Sequence, residues 1–336
     1  MNSCWNRRMI AMAAMGMALV FGSWLEGTGA STLPGISRDE MIRRLESLKQ
    51  SPYDGKYNEK WVVNSKACRR AVVSFQVKDP MKIDDAGKSQ SVQVFRPNED
   101  RPVPAVIVVP SIARENILEP WVAEQLCQHG FGAIVADVND SSLPLKYPSW
   151  GLEDRRLRNG LLALRTTLDF AEMYTVEGRS AFDPKKLGIV GFSLGGISTA
   201  LMAGIESDRL QAVVITVGGG NLPHVLATST VPHISLLKNL RLLNSELSDD
   251  RQYEEKLKRI LKYDPLYFSP LVQTDRVMMV ISETDTMVPY MAQDELWKSF
   301  RQPTSIRFEA GHILTIADVV TRKLDEILGF LKSRLR

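Results

Sequence analysis

Apolar and polar positions follow two different patterns along the chain, and the change falls near residue 105. Before it, residues 38–50 place Met41, Leu45 and Leu48 on one stripe among charged positions, directly after Ser37. That is the spacing of an amphipathic helix opened by a serine cap, expected to cover an edge of the main domain. Residues 70–77 and 91–95 have strand character and are separated by a polar loop containing Asp84-Asp85-Ala86-Gly87, which predicts an antiparallel start. From Ala105 onward, AVIVVP and GAIVADV are continuous β-branched runs with a helical stretch over 119–129 between them. Apolar strands without alternation, joined by helices, mean a mostly parallel sheet with helices on both faces. The unit repeats as a helix over 154–174, a strand over 187–190, a helix over 197–205 and a strand over 212–216. Strands over 277–282 and 305–308 and a closing helix over 318–335 complete an α/β fold.

Between Gly218 and Pro270 the pattern is helical, including a charged helix around 249–263. An insertion over about 221–265, after one sheet strand and before the next, is where a helical cap would sit and where loops set specificity. No internal repeat or low-complexity tract interrupts the chain.

Composition narrows the picture without redirecting it. The 336 residues are 44% hydrophobic and 24% charged, ordinary for a globular protein, and suffice for one catalytic domain over 31–336. Lys and Arg number 42 against 39 Asp and Glu, scattered in both signs, which argues against nucleic acid as a partner. The first thirty residues differ in kind. Arg7 and Arg8 precede an uncharged apolar run over 9–25, and Thr28-Gly29-Ala30 resembles a small-residue cleavage site before Ser31. Residues 1–30 are therefore expected to be a signal peptide that exports the protein to the periplasm or outside the cell. An uncleaved anchor is the competing reading, but the run is short for a span of about 20 residues and is interrupted by Gly16 and Gly22. If the leader is removed, Cys68 and Cys127 remain, open to pairing or to burial as free thiols.

Candidate chemistry concentrates in LGIVGFSLGG, residues 187–196. Gly191-Phe192-Ser193-Leu194-Gly195 fits G-x-S-x-G and stands directly after a β-branched strand and before a helix rich in small residues. That context makes a sharp turn exposing the Ser193 hydroxyl, with a helix N-terminus aimed at the reaction centre. A serine hydroxyl needs a base to take its proton. Of four histidines, His129 ends a helix at the wrong edge, and His224 and His233 fall in the insertion. His312, in FEAGHILT, lies past the last strand on a loop at its C-terminal end, where open α/β sheets carry their sites. The acid should fall between serine and histidine in the chain. Asp285, after the strand VMMVIS and before Met287-Val288-Pro289, fits best; Glu283 is the runner-up, while Asp264 and Asp275 precede the strand. An oxyanion hole would take the N–H of Leu194 and a second donor from VVPSIARE, Ile112 or else Ser111, since Pro110 has no N–H. Glu115 or Arg114 in that loop is as well placed to be solvated as to reach the pocket. No metal or cofactor is expected: Cys and His never gather at ligand spacing, and Gly218-Gly219-Gly220 lacks a following Lys-Ser/Thr.

The elbow at Ser193, the acid loop ETDTMVP, the AGH loop and the strand spacing from about residue 90 resemble the α/β-hydrolase superfamily. Within it, PAVIVVPSIARENILEPWVAEQLCQHGFGAIVADV is similar to the corresponding stretch of dienelactone-hydrolase-like proteins and related acyl esterases or peptidases. The resemblance implies a serine hydrolase that cleaves a carboxylic ester of a small molecule through an acyl-enzyme. It departs from dienelactone hydrolases proper in having Ser193 where they carry Cys, and in its insertion. An exopeptidase or thioesterase on the same triad, or a non-catalytic secreted binding protein, remains an alternative.

Overall fold

The computed structural model describes residues 35–48, 53–64, 67–76, 89–111, 117–136, 138 and 149–336. The expected leader over 1–30, the polar loop around 84–87 and Ile112 to Arg114 and Glu115 lie outside the described residues. Helix α1 (Arg38–Ser47) is followed by β1 (Asn58–Asn64), β2 (Cys68–Gln76), β3 (Ser89–Pro97) and β4 (Val103–Val109). Next come α2 (Leu118–Gln128), β5 (Gly132–Val135), α3 (Leu152–Met173), β6 (Phe182–Phe192), α4 (Leu194–Ile205) and β7 (Leu210–Thr216). The insertion holds α5 (Leu222–Thr228), α6 (Pro232–Leu243) and α7 (Asp250–Ile260). The chain closes with β8 (Val277–Ser282), α8 (Tyr290–Ser299), β9 (Thr304–Phe308), α9 (His312–Asp318) and α10 (Leu324–Leu335).

Among the described residues the main sheet runs β1-β2-β3-β5-β4-β6-β7-β8-β9. Its first three strands join antiparallel, β3 pairs antiparallel with β5, and every later neighbour is parallel. The inner parallel strands are buried on both faces, while β9 at the edge is only partly covered, so the side chains of the inner strands feed two cores in turn. On β4, Val103, Ala105, Ile107 and Val109 enter one core and Val106 and Val108 the other; on β8, Met279 and Ile281 oppose Met278 and Val280. Helices α3 and α4 cover the first face, α2 and α10 the second. Each such fully buried side chain contributes about 1.5–3 kcal/mol, which outweighs the missing alternation of polar positions.

The capping serine of α1 is as the spacing predicts, Ser37 Oγ accepting the Glu40 N–H at 3.1 Å. The helix makes its polar contacts with α3 and the end of the insertion. Arg44 donates to the Lys262 carbonyl at 2.7 Å, Ser47 Oγ meets the Tyr263 hydroxyl at 2.6 Å, and Arg158 of α3 donates to the Ser47 carbonyl at 3.2 Å. It therefore joins α3 to the end of the insertion. The closing helix is also interrupted: α9 and α10 are separated by a π-helical turn at Val319–Lys323. No helix among the described residues is long and apolar enough to cross a membrane.

Cys68 at the start of β2 and Cys127 near the end of α2 form a disulfide, with Cα atoms 6.1 Å apart. The bridge spans 59 residues, and closing a loop of that size in the unfolded chain accounts for about 4 kcal/mol on a chain-entropy model. Replacing both cysteines by alanine is expected to lower the unfolding midpoint by about 3–6 °C, since bridges deliver about 2–4 kcal/mol and the unfolding entropy of about 300 residues is about 0.6 kcal/mol/K. Calorimetry on the double variant checks this; an unchanged midpoint would mean that the bridge constrains nothing.

Candidate active site

Residues 187–192 run through the middle of the sheet, and at its C-terminal end the chain turns into α4 within one residue. Ser193 makes the turn with φ of 56° and ψ of −119°, a region that side chains rarely occupy. The strain is held on both sides: the Ser193 N–H donates to the Thr216 carbonyl of β7 at 2.9 Å, and the Ser193 carbonyl accepts from Ile197 at 3.0 Å. Two glycines make the turn sterically feasible. A Cβ at Gly191 would stand 2.2 Å from the Gly195 carbonyl oxygen, and one at Gly195 would stand 2.3 Å from the carbonyl oxygen of Val109. Gly195 thus allows α4 to start directly against the end of β4.

Ser193 Oγ lies 2.8 Å from His312 Nε2. His312 opens α9, four residues after the last strand, and is buried at its ring. Its Nδ1 lies 2.6 Å from Asp285 Oδ2, so the ring is held between serine and carboxylate in one tautomer, with the proton on Nδ1. Asp285 is itself fixed by its loop: Oδ1 accepts the N–H groups of Met287 at 2.8 Å and Val288 at 3.1 Å. The order serine, base, acid is the arrangement that activates a hydroxyl for attack. The structure thereby brings Ser193, His312 and Asp285 together.

The other candidates are elsewhere. Glu283 is half-buried and faces Arg307, with 3.6 Å between Oε1 and Nη1. Asp264 is fully buried and accepts the N–H groups of Asn221 at 3.1 Å, Leu222 at 2.5 Å and Leu266 at 2.9 Å. Burial pushes its carboxyl up to about 6, against the opposing pull of those N–H groups. Its work is to hold the left-handed turn at Asn221, φ 52°, by which the chain leaves β7 for the insertion. His224 pairs with Glu254 inside the insertion at 3.1 Å, and His129 Nδ1 meets the Gln125 carbonyl at 2.8 Å.

For an oxyanion, the Leu194 N–H sits at the first residue of α4, where helix donors have no partner within the helix and the dipole favours negative charge. Ser111 does not serve. Its N–H donates to Glu119 Oε1 at 2.9 Å and its hydroxyl approaches the same oxygen at 3.2 Å. Glu119, buried in the first turn of α2, therefore anchors Ser111 at the end of β4. Sequence reading missed Glu119; the available signal was an acid in the first turn of an apolar helix.

The insertion borders this site directly. Ser229 Oγ, between α5 and α6, donates to the Met287 carbonyl at 2.6 Å, and the Thr230 N–H donates to the Thr286 carbonyl at 3.0 Å. The two residues after Asp285 are thus tied to the linker between inserted helices.

Residues 91–236 match the model of the dienelactone hydrolase family. Among curated proteins, a stretch of 123 residues is 28% identical to cutinase 2 of Thermobifida cellulosilytica, covering 37% of this chain and 43% of that protein. The same identity and length relate it to the cutinase of Thermobifida fusca strain YX, covering 37% of this chain and 35% of the relative. The match thus spans less than half the length of these relatives. Among solved structures, acetyl xylan esterase from Paenibacillus sp. R4 superposes with a TM-score of 0.69 at 15% identity, over 91% of this chain and 97% of that one. Acetyl xylan esterase 1 from Thermoanaerobacterium sp. JW/SL YS485 gives 0.64 at 15% identity, over 91% and 96%.

Proposed function

We propose that this chain, an α/β-hydrolase that is dienelactone-hydrolase-like over residues 91–236, is a serine hydrolase that cleaves carboxylic esters through an acyl-enzyme. The observation that carries the proposal is the line of two short hydrogen bonds, Ser193 Oγ to His312 Nε2 at 2.8 Å and His312 Nδ1 to Asp285 at 2.6 Å, built on a strained elbow. His312 takes the Ser193 proton as Oγ attacks the ester carbonyl. The carbonyl oxygen, now negative, is met by the Leu194 N–H and by a second donor, for which Ile112 is proposed. His312 then gives its proton to the departing alcohol. A water, deprotonated by the same imidazole, attacks the acyl-enzyme, and the imidazolium returns that proton to Ser193 Oγ as the acid leaves. The Asp285 carboxylate stabilises the imidazolium that forms twice per cycle.

Cutinase and acetyl xylan esterase, the names borne by the relatives, both denote ester cleavage and support an ester over an amide or thioester. Acetyl esters are the first to test. A panel of p-nitrophenyl esters of graded acyl length, set beside aminoacyl anilides and acyl thioesters, is expected to give its highest kcat/KM on an ester. An anilide or thioester turned over faster than every ester would replace this reading with a peptidase or thioesterase. The substrate is a small molecule, and residues 221–265 form the cap that selects it.

Export is part of the same proposal. The apolar leader over 1–30 and the Cys68–Cys127 bridge both suit an oxidising compartment.

A further inference from the structure

Gln293 takes no part in the proton transfers above, yet its amide is fully buried beside the acid. It lies in the first turn of α8, the helix that follows the acid loop. Nε2 donates to Asp285 Oδ2 at 2.9 Å and to the Val288 carbonyl at 2.8 Å, and Oε1 accepts the Ser282 N–H at 3.1 Å. Each hydrogen-bonding group of the amide is therefore used, and all three partners belong to one stretch, 282–288.

The count on the carboxylate is as telling. A carboxylate offers about four lone-pair directions. Met287 and Val288 take those of Oδ1, while His312 and Gln293 take those of Oδ2. Without Gln293, Oδ2 has the imidazole as its one remaining partner here and is free to tilt with it. The same amide reaches the base by a second route: Ser282, whose N–H it accepts, donates its hydroxyl to the Ala310 carbonyl, two residues before His312. Acid loop and base loop are thus fastened to one buried side chain.

We infer that Gln293 is a positioning residue for the Asp285–His312 pair, setting the direction of Oδ2 and the spacing of the two loops. The inference rests on the proposed triad. Gln293→Met keeps length and approximate volume and removes all three hydrogen bonds. It is expected to lower kcat on p-nitrophenyl acetate by about 10- to 100-fold with KM nearly unchanged, the scale of a small misplacement of reacting groups. A residue needed for folding alone would reduce the number of active sites counted by burst titration and leave kcat per titrated site unchanged.

A second readout does not depend on turnover. The low-field proton resonance of His312 Nδ1–H, held by Asp285 in wild type, is expected to move or broaden in Gln293→Met. Folded Gln293→Met with kcat within twofold of wild type and an unmoved resonance would overturn the inference. Should that variant fail to fold, Gln293→Glu is read in the same two ways. It keeps the acceptor for the Ser282 N–H but sets an oxygen against Asp285 Oδ2 and the Val288 carbonyl. A wild-type protein with the resonance but no ester turnover would instead strike at the proposed function and leave the positioning role standing.

Discussion

Ser193→Ala is expected to lower ester turnover by about 10⁴- to 10⁶-fold, the range seen when a triad nucleophile is removed. What remains is the catalysis supplied by the Leu194 donor and by binding, about 10³- to 10⁴-fold over water. The loss is one of chemistry and not of folding. Alanine carries the same Cβ as serine, so the strain at φ 56° and the backbone bonds to Thr216 and Ile197 are unchanged. The unfolding midpoint should stay within about 2 °C, as for substitutions that touch no packing or cap. Steady-state kinetics with burst analysis, alongside a thermal scan, separates the two. Retained turnover with an intact fold would mean that another group attacks the ester.

The second large effect concerns the choice between two carboxylates two residues apart. Asp285→Asn is expected to reduce kcat by about 10⁴-fold. Three donors surround this side chain: the N–H groups of Met287 and Val288 and Nε2 of Gln293. An asparagine amide there must turn its own N–H₂ either against those donors or against His312 Nδ1, and the latter places the imidazole in the wrong tautomer. The negative charge that stabilises the imidazolium is lost as well. Glu283→Gln should leave kcat within about twofold, because its carboxylate is half-buried and spends its charge on Arg307, a pair worth less than about 1 kcal/mol at such exposure. Measuring kcat for both variants on one ester decides it; the reverse ranking would move the acid to Glu283.

Much of this was legible in the sequence where local pattern and tertiary demand agree. Strands buried on both faces announce themselves as β-branched runs, so β4, β5, β7 and β8 were readable from 105–109, 132–135, 212–216 and 277–282. The elbow was readable because the steric limits at Gly191 and Gly195 are written into the residue types. His312 followed from its place at the end of the last strand. Elements set by partners distant in the chain were harder. β1, NEKWVVN, is a peripheral strand with a largely exposed surface, and the first half of β6 contains Pro184, Lys185 and Lys186, which mask it. The π-helical turn at Val319–Lys323 leaves no mark on the apolar spacing that predicts one closing helix. The Cys68–Cys127 bridge joins residues that become neighbours when the sheet forms, and the Glu119 anchor on Ser111 and the Gln293 amide each close a loop between a strand and the helix after it. Single-sequence patterning carries no such information, since it reports the face a residue occupies and not the partner it meets there.

The central claim is that Ser193 is a nucleophile activated by His312 in the folded protein. A fluorophosphonate reacts with such a hydroxyl and not with an ordinary one, and peptide mapping of the labelled protein locates the adduct. One adduct is expected, on Ser193, formed in folded wild type, and absent both from unfolded protein and from Ser193→Ala. Folded protein that takes no label, or a label that persists in Ser193→Ala, would contradict it.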